Sequence, residues 1–481
     1  MSNTEVSAQP PGRTAPTDAD LSSVTAERVA KLVDASPGLL AGPCAQLRRA
    51  ALQVAVAGLM AADPGAATSR QVNYVPATNT VRVGTREYQL TPTSRIWVLG
   101  AGKASYPIAA ALEAIFGRRI AGGVVAVRDP DLVALSHIEV IHADHPLPSE
   151  RSIEAAKRIL AMAQNAGSED LVLACFTGGS SALASLPAEG VSATDKRTLH
   201  QLLLSSGLAI DEINAVRKSV SKVKGGRVAL AAAPATVVNL TVSDVAGSQL
   251  DVVTDPTVQD SATSAKAKSV LSSSKLWDKI PSSVRAHLEA DLPTPTLANE
   301  PQTVMLADGA STVAAMADAA QSLGFRPVVV TEEVEGAADE VGPRLAHRLI
   351  SKLTEGHTQP VMLLGCGGES VVTVDSPEAF SQGGPNQHAA LSAASALRNH
   401  RAAALFLDTD GSDGGTELAG GLVDGSTMDL AEARGVDVLS GLAAQRSSAV
   451  CKALNAAVST GHTGTNVNDL FVLVAESGEL S

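Results

Sequence analysis

The feature that most constrains the fold is an alternation of short apolar runs with alanine-rich segments, which begins at Ile96 and continues to the end of the chain. Each run ends in glycine or a small polar residue, as in RIWVLG before the segment from Lys103 to Phe116. Uniformly apolar strands that alternate with helices are typical of parallel sheets covered on both faces. The alternation therefore predicts an α/β protein with mostly parallel sheets.

A proline-rich segment, DLPTPTLANEP, divides this alternation at residues 291–301. Domains typically contain about 100 to 200 residues, so a chain of 481 residues is expected to form two large ones. Apolar residues recur at helical spacing within residues 25–62, which predicts two helices before the first strand. We predict a disordered tail at residues 1–24, an N-terminal α/β domain at residues 25–295 and a C-terminal α/β domain at residues 296–481.

The overall charge and the aromatic content exclude several classes of partner. Lys and Arg number 37 and Asp and Glu number 50, which gives a formal net charge of −13. A polyanion would be repelled over most of such a surface, so we expect neither nucleic acid nor a membrane as a partner. Phe 6, Tyr 3 and Trp 2 are too few for base-stacking platforms. No apolar stretch reaches the roughly 20 residues that a membrane-spanning helix needs.

The cysteines indicate a compartment rather than a metal site. They lie far apart and show no paired spacing, so we expect neither a zinc cluster nor a disulfide framework. This usage is typical of a reducing environment, and we expect a cytoplasmic protein. The four residues are Cys44, Cys175, Cys366 and Cys451.

Ligands of open α/β sheets bind beyond the carboxyl ends of the strands, so the residues that follow the apolar runs are the candidates for a site. The first such cluster is GAGKAS at residues 100–105. Its glycines let the backbone approach an anion, and Lys103 adds a mobile positive charge at a helix start. A dinucleotide fingerprint would need glycine or alanine at Ser105, and the spacing does not fit a Walker loop. The alternative is a tight turn with a solvent-exposed lysine.

The second cluster, FTGGSSA at residues 176–182, follows the run DLVLAC. Gly178 and Gly179 followed by the hydroxyls of Ser180 and Ser181 can cradle a phosphate with amides and hydroxyls together. A serine nucleophile for acyl transfer is the rival interpretation, but the sequence lacks the G-x-S-x-G elbow.

A basic segment at residues 214–227 reverses the local sign of charge in this acidic chain. If it is helical, Arg217, Lys218 and Lys224 share one face and could bind a polyphosphate or a carboxylate. The equally weighted alternative is a solvated charged surface. Asp244, in the next strand end TVSDVAG, could hold Mg²⁺ or accept a proton from a substrate hydroxyl, although a lone Asp is more often a cap or turn residue.

The second half of the chain carries a dense group of carboxylates after the run AAALFL. Asp408, Asp410 and Asp413 lie within six residues and are interspersed with Gly, Ser and Thr. Oxygen ligands of this kind suit a hard cation such as Mg²⁺ or Ca²⁺, although the spacing is not that of an EF-hand. The histidines show no zinc-ligand spacing, and we expect most of them to be structural; they include His142, His145, His388 and His462.

The clusters occur in a recognisable order. The chain resembles the glycerate 2-kinase family of bacteria and archaea, whose members carry a characteristic carboxy-terminal domain and are sometimes labelled hydroxypyruvate reductases. The resemblance extends from about residue 25 to about residue 475. It rests on the stretches GAGKAS, HADHPLPSERSIEAAKRIL, GGSSALASLP, INAVRKSVSKVKGGRVA, LTVSDVAG, GGES, TDGSDGGTELAGGLVDGST and GTNVNDLFVL.

The resemblance implies ATP- and Mg²⁺-dependent phosphorylation of the 2-hydroxyl of D-glycerate or a related hydroxy acid, in a cleft between two Rossmann-like domains. It implies ATP and a small hydroxy acid as partners, and it allows for a homodimer. Lys103 and Asp244 are expected to be catalytic, and Asp410 and Asp413 to bind the metal. Substrate or phosphate binding is expected for Gly102, Gly178, Gly179, Ser180, Ser181, Arg217, Lys224 and Asn386.

Three of the departures from the family pattern bear on the activity. Pro385 stands where a GGRNQE-like segment has an arginine, His388 replaces a carboxylate, and Asp255 replaces a turn glycine. These changes leave open a divergent homologue that binds a nucleotide or an acid without transferring phosphate. An NAD(P)H-dependent reductase is the weakest alternative, because Ser105 interrupts the dinucleotide fingerprint.

Overall fold

The computed structural model describes most of the chain. The tail predicted at residues 1–24 and the candidate Asp244 lie outside the described residues, as does most of the first helix predicted before residue 40. The described residues are 31–32, 36, 38–128, 132–145, 147–204, 206–242, 255–259, 264–291, 296–330, 334–353, 359–368, 370–372 and 382–480.

Strands and helices follow one another along the chain as the apolar runs predict. The strands are β1 (Val72–Val75), β2 (Thr80–Val83), β3 (Arg86–Gln89), β4 (Ile96–Ala101), β5 (Ile120–Val127), β6 (Glu139–His142), β7 (Leu171–Phe176), β8 (Thr236–Val242), β9 (Gln302–Ala307), β10 (Arg326–Val329), β11 (Gly336–Ala337), β12 (Val361–Cys366), β13 (Ser370–Val371), β14 (His400–Asp408), β15 (Gly420–Asp424), β16 (Ala457–Val458) and β17 (Asp469–Glu479).

The helices cover the faces of the sheets. They are α1 (Ala45–Ala61), α2 (Pro64–Gln71), α3 (Ser105–Phe116), α4 (Glu150–Ala163), α5 (Ser180–Leu183), α6 (Ala193–Leu204), α7 (Ile210–Ser219), α8 (Arg227–Ala232), α9 (Ser264–Ser273), α10 (Ser282–Glu289), α11 (Gly309–Ser322), α12 (Ala338–Leu353), α13 (Pro385–Leu397), α14 (Thr427–Arg434), α15 (Val438–Ala443) and α16 (Ser447–Ala453).

The first large sheet is entirely parallel and has the strand order β6-β5-β4-β7-β8-β9. Every residue of β4 and of β7 is buried, because helices pack on both faces of the sheet. This is the environment that uniformly apolar runs indicate. The prediction of a parallel sheet is confirmed for this part of the chain.

The second large sheet is mixed, with the order β10-β12-β17-β14-β15-β16. Only β10 and β12 run parallel, whereas the other pairings are antiparallel. The expectation of a mostly parallel sheet is therefore wrong for the second half. A central antiparallel strand that is covered on both faces is as uniformly apolar as a parallel one, so the apolar runs do not determine strand direction.

Two smaller sheets complete the strand pairing in the described residues. The strands β1, β2 and β3 form an antiparallel sheet, and β11 pairs in parallel with β13.

The chain passes between the two large sheets later than the proline-rich segment. The strand β9 follows residue 295 but pairs with β8 as an edge strand of the first sheet. The helix α1, near the start, packs instead on the second sheet, where its apolar side contacts β14 and β17. A boundary at residue 295 therefore does not separate the two sheets.

Arg48 of α1 is anchored within the second sheet. It is 2 % exposed, and its Nε lies 2.5 Å from an Oδ of Asp424, which is fully buried. The guanidinium also donates to the carbonyl oxygens of Leu39 and Asn455. These bonds attach the N-terminal helix to the domain that the C-terminal half builds.

The basic segment does not form one continuous helix. The helix α7 ends at Ser219, and α8 begins at Arg227 after a turn in which Gly225 and Gly226 have φ values of +65° and +77°. The alternative of a solvated surface is also wrong for part of the segment, since Lys218 and Lys224 are each 3 % exposed.

Within the described residues, no single helix is long and apolar enough to cross a membrane. The consecutive helices α1 and α2, bent by 46°, satisfy the length and composition criteria only as a pair.

Candidate active site

Two glycine-containing loops are joined where β4 and β7 end. These strands are parallel neighbours, so the loops that follow them emerge at the same edge of the sheet. The amide of Lys103 donates to the carbonyl of Gly178 at 2.8 Å, and the amide of Ala104 donates to Oγ1 of Thr177 at 3.1 Å. The two clusters that the sequence singles out therefore form one surface.

Gly102 is required where the loops touch. Its φ is +141°, and a Cβ atom there would lie 2.1 Å from Oγ1 of Thr177 and 2.7 Å from the carbonyl oxygen of the same residue. No side chain fits at such distances. Ser105, at the start of α3, is fully buried and donates to the carbonyl of Cys175 at 2.7 Å, so it serves the packing of this turn.

The second loop turns into the short helix α5. Gly179 has φ +86°, and a Cβ built on it would lie 3.3 Å from the ring of His145 and 3.4 Å from Cγ of Lys103. Ser180 begins α5, and Ser181 accepts a short hydrogen bond from Nζ of Lys224. The loop from Gly178 to Ser181 thus connects Lys103 with the basic segment.

Lys103 links the two halves of the molecule. Its Nζ lies 2.5 Å from Oδ2 of Asp410, which follows β14 of the second sheet. The Lys103 side chain is 22 % exposed and that of Asp410 is 5 % exposed. The alternative of a solvent-exposed lysine in a simple turn is therefore wrong.

The pair lines a cleft of about 240 Å³ between the loops of the two sheets. Arg128, which follows β5, lies in the same cleft, and its Nη2 is 2.8 Å from Nδ1 of His462 in the second half of the chain. The cleft therefore contains two cations from the first sheet and a carboxylate from the second. Its other lining residues are Tyr106, Pro107, Val127, Leu132, Thr463, Gly464 and Thr465.

Three carboxylates gather at the end of β14. Asp408 is the cross-strand partner of Asp469, and its Oδ1 accepts from the amide of Asp410 at 2.9 Å. Burial, together with Asp410 and Asp469, raises the pKa of Asp408 well above its usual range. Burial alone would also raise the pKa of Asp410, but the charge and hydrogen bond of Lys103 lower it overall. Lys103 therefore compensates one carboxylate of this group and leaves the others in mutual repulsion.

Asp413 is directed into the second domain and not into the cleft. It is 1 % exposed, and its two oxygens accept from the backbone and side-chain nitrogens of Asn386 and Gln387 at the start of α13. Burial raises the pKa of Asp413 to about 6 despite these bonds. This carboxylate caps a helix, as a carboxylate at a helix N-terminus commonly does.

Asn386 connects this cap to the carboxylate group. Its Nδ2 donates to Asp469 at 2.6 Å and to Asp413 at 3.3 Å, and the residue is 2 % exposed. Its place in the structure is thus behind Asp469, which it orients. The three described carboxylates around the cleft do not form a ready-made site, since no group of three or more His, Cys, Asp or Glu among the described residues has metal-site geometry.

His145 lies against the turn at Gly179, beside Lys103, although the sequence suggested a structural role. Burial lowers the pKa of His145 to about 4, and the charges of Lys103 and Arg128 act in the same direction. Its imidazole is therefore neutral at physiological pH and can accept a proton.

Arg217 and Lys224 line a separate cavity beside Ser181. Burial lowers the pKa of Arg217 to about 10. Asp255, one of the three departures, stabilises the turn within the basic segment. Its backbone carbonyl accepts from the amides of Gly225 and Gly226 at 3.0 and 3.2 Å, and its carboxylate accepts from Asn239 and Thr257.

The other two departures lie in α13. Pro385 occupies the first turn of this helix, where its missing amide hydrogen costs nothing. His388 is 8 % exposed and feels the charge of Asp339 on α12, so it is not a group of the cleft.

Sequence reasoning overlooked several residues of the site. Arg128 and Asp469 do follow or begin strands, and that position could have marked them, whereas His145 follows β6 by three residues and was discounted for lack of zinc spacing. The overlooked residues of the site are Arg128, His145 and Asp469, and the overlooked residues of the separate cavity are Lys196 and His200.

Comparison with known proteins identifies the family of the chain. The family described as "Domain of unknown function (DUF4147)" matches residues 50–289, and the MOFRL family matches residues 361–469. A glycerate 2-kinase from Pyrococcus horikoshii is 35% identical over 439 residues, which cover 90% of this chain and 98% of that protein.

Solved structures show the same fold. The structure of a glycerate kinase from Thermotoga maritima superposes with a TM-score of 0.74 at 31% identity and covers 88% of this chain and 98% of its own. A structure from Pyrococcus horikoshii gives 0.73 at 34% identity, with 89% and 98% covered. With this identity over most of both chains, the protein belongs to the glycerate 2-kinase family.

Proposed function

We propose that this protein is a kinase that uses ATP and Mg²⁺ to phosphorylate the 2-hydroxyl of D-glycerate or of a closely related small hydroxy acid. The observation that carries the proposal is the ion pair of Lys103 and Asp410, which brings the glycine loops of the first sheet and the carboxylates of the second to one cleft. The relatives named glycerate 2-kinase and glycerate kinase support the choice of acceptor.

The reaction forms a bond between the 2-oxygen of the acid and the γ-phosphorus of ATP. The bond from that phosphorus to the β–γ bridging oxygen breaks, ADP leaves, and the hydroxyl proton passes to a base. Catalysis of such a transfer depends mainly on positioning and on positive charge around the moving phosphoryl group. Lys103 supplies a charge at the start of α3, and the glycine at position 102 lets a phosphate approach the backbone there. Gly178, Gly179 and Ser180 offer a second set of donors beside it.

The carboxylates of the second sheet fit a hard cation. Asp410 would hold Mg²⁺ together with Asp408 or Asp469, and Mg²⁺ is commonly bound by one or two carboxylates plus substrate phosphates. The raised pKa of Asp408 reflects like charges that a cation would relieve. Bound there, Mg²⁺ would neutralise charge on the phosphate oxygens. In this proposal Asp413 caps the helix α13 and does not bind the metal, and Asn386 orients Asp469.

In this proposal Arg128 supplies the second cation of the cleft and so compensates for the arginine that the family pattern has where this chain has Pro385. It acts on both His145 and Asp410. The neutral imidazole of His145, which lies beside the loop at Gly179, could take the hydroxyl proton, and Asp244 remains our other candidate for that role or for the metal.

The test is phosphoryl transfer by the purified full-length chain. ATP, Mg²⁺ and D-glycerate should yield ADP together with 2-phosphoglycerate, identified by ³¹P NMR, and removal of Mg²⁺ with EDTA should stop the reaction. Lys103→Met should lower kcat/KM by about 10²- to 10³-fold or more, since a preorganised charge at the reacting group contributes on that scale. Glycerol and L-glycerate serve as acceptor controls.

Lys222→Met is the matched control, because it removes the same charge from a half-exposed lysine that pairs with Glu189 at 3.6 Å. It should retain the wild-type rate. If no small hydroxy acid yields ADP while ATP and Mg²⁺ still bind by calorimetry, the kinase proposal is overturned.

A further inference from the structure

A second cavity lies beside the glycine loop, away from the carboxylates of the second sheet. Ser181 of α5, Ser149 at the start of α4, and residues of α6 and α7 line it. Gly179 faces Lys103 and His145, whereas Ser181, two residues later, faces this cavity. The loop therefore lies between the cleft at Lys103 and this second cavity.

Five cationic or titratable nitrogenous side chains line the cavity. Lys196, Arg197 and His200 come from α6, Arg217 comes from α7, and Lys224 comes from the turn that follows. Arg197 donates to the carbonyl of Pro148 at 3.2 Å, so the other four are the candidates for binding a ligand. Its described lining contains no Asp or Glu. Among the described ion pairs, none supplies a carboxylate to Lys196, His200 or Arg217.

The hydrogen-bond partners given for Lys196 and Arg217 are neutral. Nζ of Lys196 donates to the carbonyl of Leu186 at 3.2 Å, and Nη1 of Arg217 donates to Oδ1 of Asn214 at 3.1 Å. Asp255 lies near enough to favour the charge of Lys224, but its carboxylate accepts from Asn239 and Thr257. A surplus of positive charge thus remains at the cavity wall.

The titration of these groups reflects the crowding. Burial and the charge of Arg217 lower the pKa of Lys196 to about 7. Burial, followed by Arg217, Lys224 and Lys196, lowers the pKa of His200 to about 4. A cluster of this kind costs stability unless an anion relieves it, because burial disfavours charge and like charges repel.

Further donors point to the nature of that anion. Oγ of Ser149 is buried and has no hydrogen-bond partner among the described residues, although it lines the cavity. Ser149 also precedes α4, a helix of 14 residues whose first amides carry partial positive charge. The hydroxyl and the cations thus offer donors from several directions.

The size of the cavity limits the ligand. It measures about 40 Å³ when filled with water-sized spheres. One water needs about 10–15 Å³ on that measure, so there is room for about three waters or one group of similar size. A planar guanidinium and ammonium groups match the oxygens of a carboxylate or a phosphate.

We propose that this cavity is a binding site for one small oxyanion, a carboxylate or a phosphate, held by Lys196, His200, Arg217 and Lys224 with Ser149. The inference deepens the proposed function, since both the acceptor acid and ATP carry such a group. Its test measures binding without turnover, so that failure of this site and failure of the kinase proposal are distinguishable.

The experiment is isothermal titration calorimetry on the full chain in a HEPES buffer without ATP. Inorganic phosphate, D-glycerate and glycerol are titrated separately, with sodium chloride at matched ionic strength as the blank. Either or both of the oxyanions should bind to the wild-type protein, and glycerol should not. Arg217→Met and Lys196→Met should each lower the affinity by about tenfold or more, because hydrogen bonds to charged groups contribute on that scale.

Lys222→Met, which removes one exposed cation from the same segment, should bind the oxyanions as the wild type does. The two cavity variants should also melt at a higher temperature than the wild type in the absence of anion, because each removes a repelled buried charge. If Arg217→Met does not fold, Lys196→Met provides the same test.

The outcomes identify the ligand. Binding of phosphate alone assigns the site to a phosphate, and binding of D-glycerate alone assigns it to the acceptor carboxylate. Absence of binding by both anions, or equal affinities for the wild type and the cavity variants, overturns the proposal. If the wild-type protein binds an oxyanion in this cavity but transfers no phosphate to any hydroxy acid, the kinase proposal is rejected and the oxyanion site is kept.

Discussion

The contact between the two glycine loops provides a quantitative test of how the site is built. The substitution Gly102→Ala would introduce a methyl group 2.1 Å from Oγ1 of Thr177 and 2.7 Å from its carbonyl oxygen, at a φ of +141°. An unfavourable φ of this kind costs about 1–3 kcal/mol, and overpacking costs about 1–3 kcal/mol more. The free energy of unfolding should therefore fall by about 2–6 kcal/mol.

Gly117→Ala is the matched control at the other end of the same helix. Gly117 also has a positive φ, +50°, but no heavy atom lies within 4 Å of the position of its missing Cβ. Its ψ of −125° lies outside the left-handed helical region, in backbone that favours glycine, so alanine there should show only the conformational cost, about 1–3 kcal/mol. The difference between the two variants isolates the steric overlap of the loops.

Urea unfolding followed by circular dichroism measures both variants, and the ADP assay measures the site. Displacement of the loop should move Lys103, and a displacement of about 1 Å can lower kcat about 10²-fold. Gly102→Ala/Thr177→Ala should recover only part of the stability, because the carbonyl of residue 177 remains in place. Equal stability and equal activity of Gly102→Ala and Gly117→Ala would refute the reasoning.

Three further predictions concern buried charges. Arg48→Met should lower the free energy of unfolding, measured in urea, by about 3–5 kcal/mol, because it leaves the carboxylate of Asp424 buried without its cationic partner. Arg48→Met/Asp424→Asn should lower this free energy less, and Arg49→Met, at an exposed position, should lower it little. Because the pKa of Asp413 is raised to about 6, the folded state binds more protons than the unfolded state between pH 4 and 6. The free energy of unfolding should therefore fall as pH rises through that range, and Asp413→Asn should flatten this part of its pH dependence. The pKa of Lys196 is about 7, whereas His200 is already neutral at that pH, so the affinity of the cavity for phosphate or glycerate should fall as pH rises above 7. Binding at pH 8 should take up protons, which is seen as a binding enthalpy that changes with the ionisation enthalpy of the buffer. The other charged groups at or near the cavity are Arg197, Arg217, Lys224 and Asp255, and Lys196→Met should remove the effect.

Local sequence was sufficient to place most strands and the loops that follow them. The runs IWVL, LVLAC and VVNLTV each become a buried strand, because a strand covered on both faces needs apolar residues at every position. Glycine after such a strand marks a close approach, as Gly102 shows against Thr177. The family motifs follow from the same residues.

Other features could not be predicted because several environments produce the same local pattern. The direction of β14, β15 and β17 depends on which strands they pair with, and burial does not record it. Asp410 and Asp413 are three residues apart and equally acidic, yet one faces Lys103 and the other caps α13. The basic segment is interrupted by Gly225 and Gly226, whose carbonyl partner is the distant Asp255.

The sequence by itself determined an α/β chain of two sheets, the glycine loops, and a local excess of positive charge within a net charge of −13. Apolar periodicity, glycine and charge are properties of neighbouring residues, and they can be read without coordinates. Tertiary structure alone decided that Lys103 meets Asp410, which lies 307 positions away, and that Lys196, His200, Arg217 and Lys224 share one cavity. Contacts between residues that are far apart in the sequence depend on how the helices and sheets pack together, and the local sequence around each residue does not determine that packing.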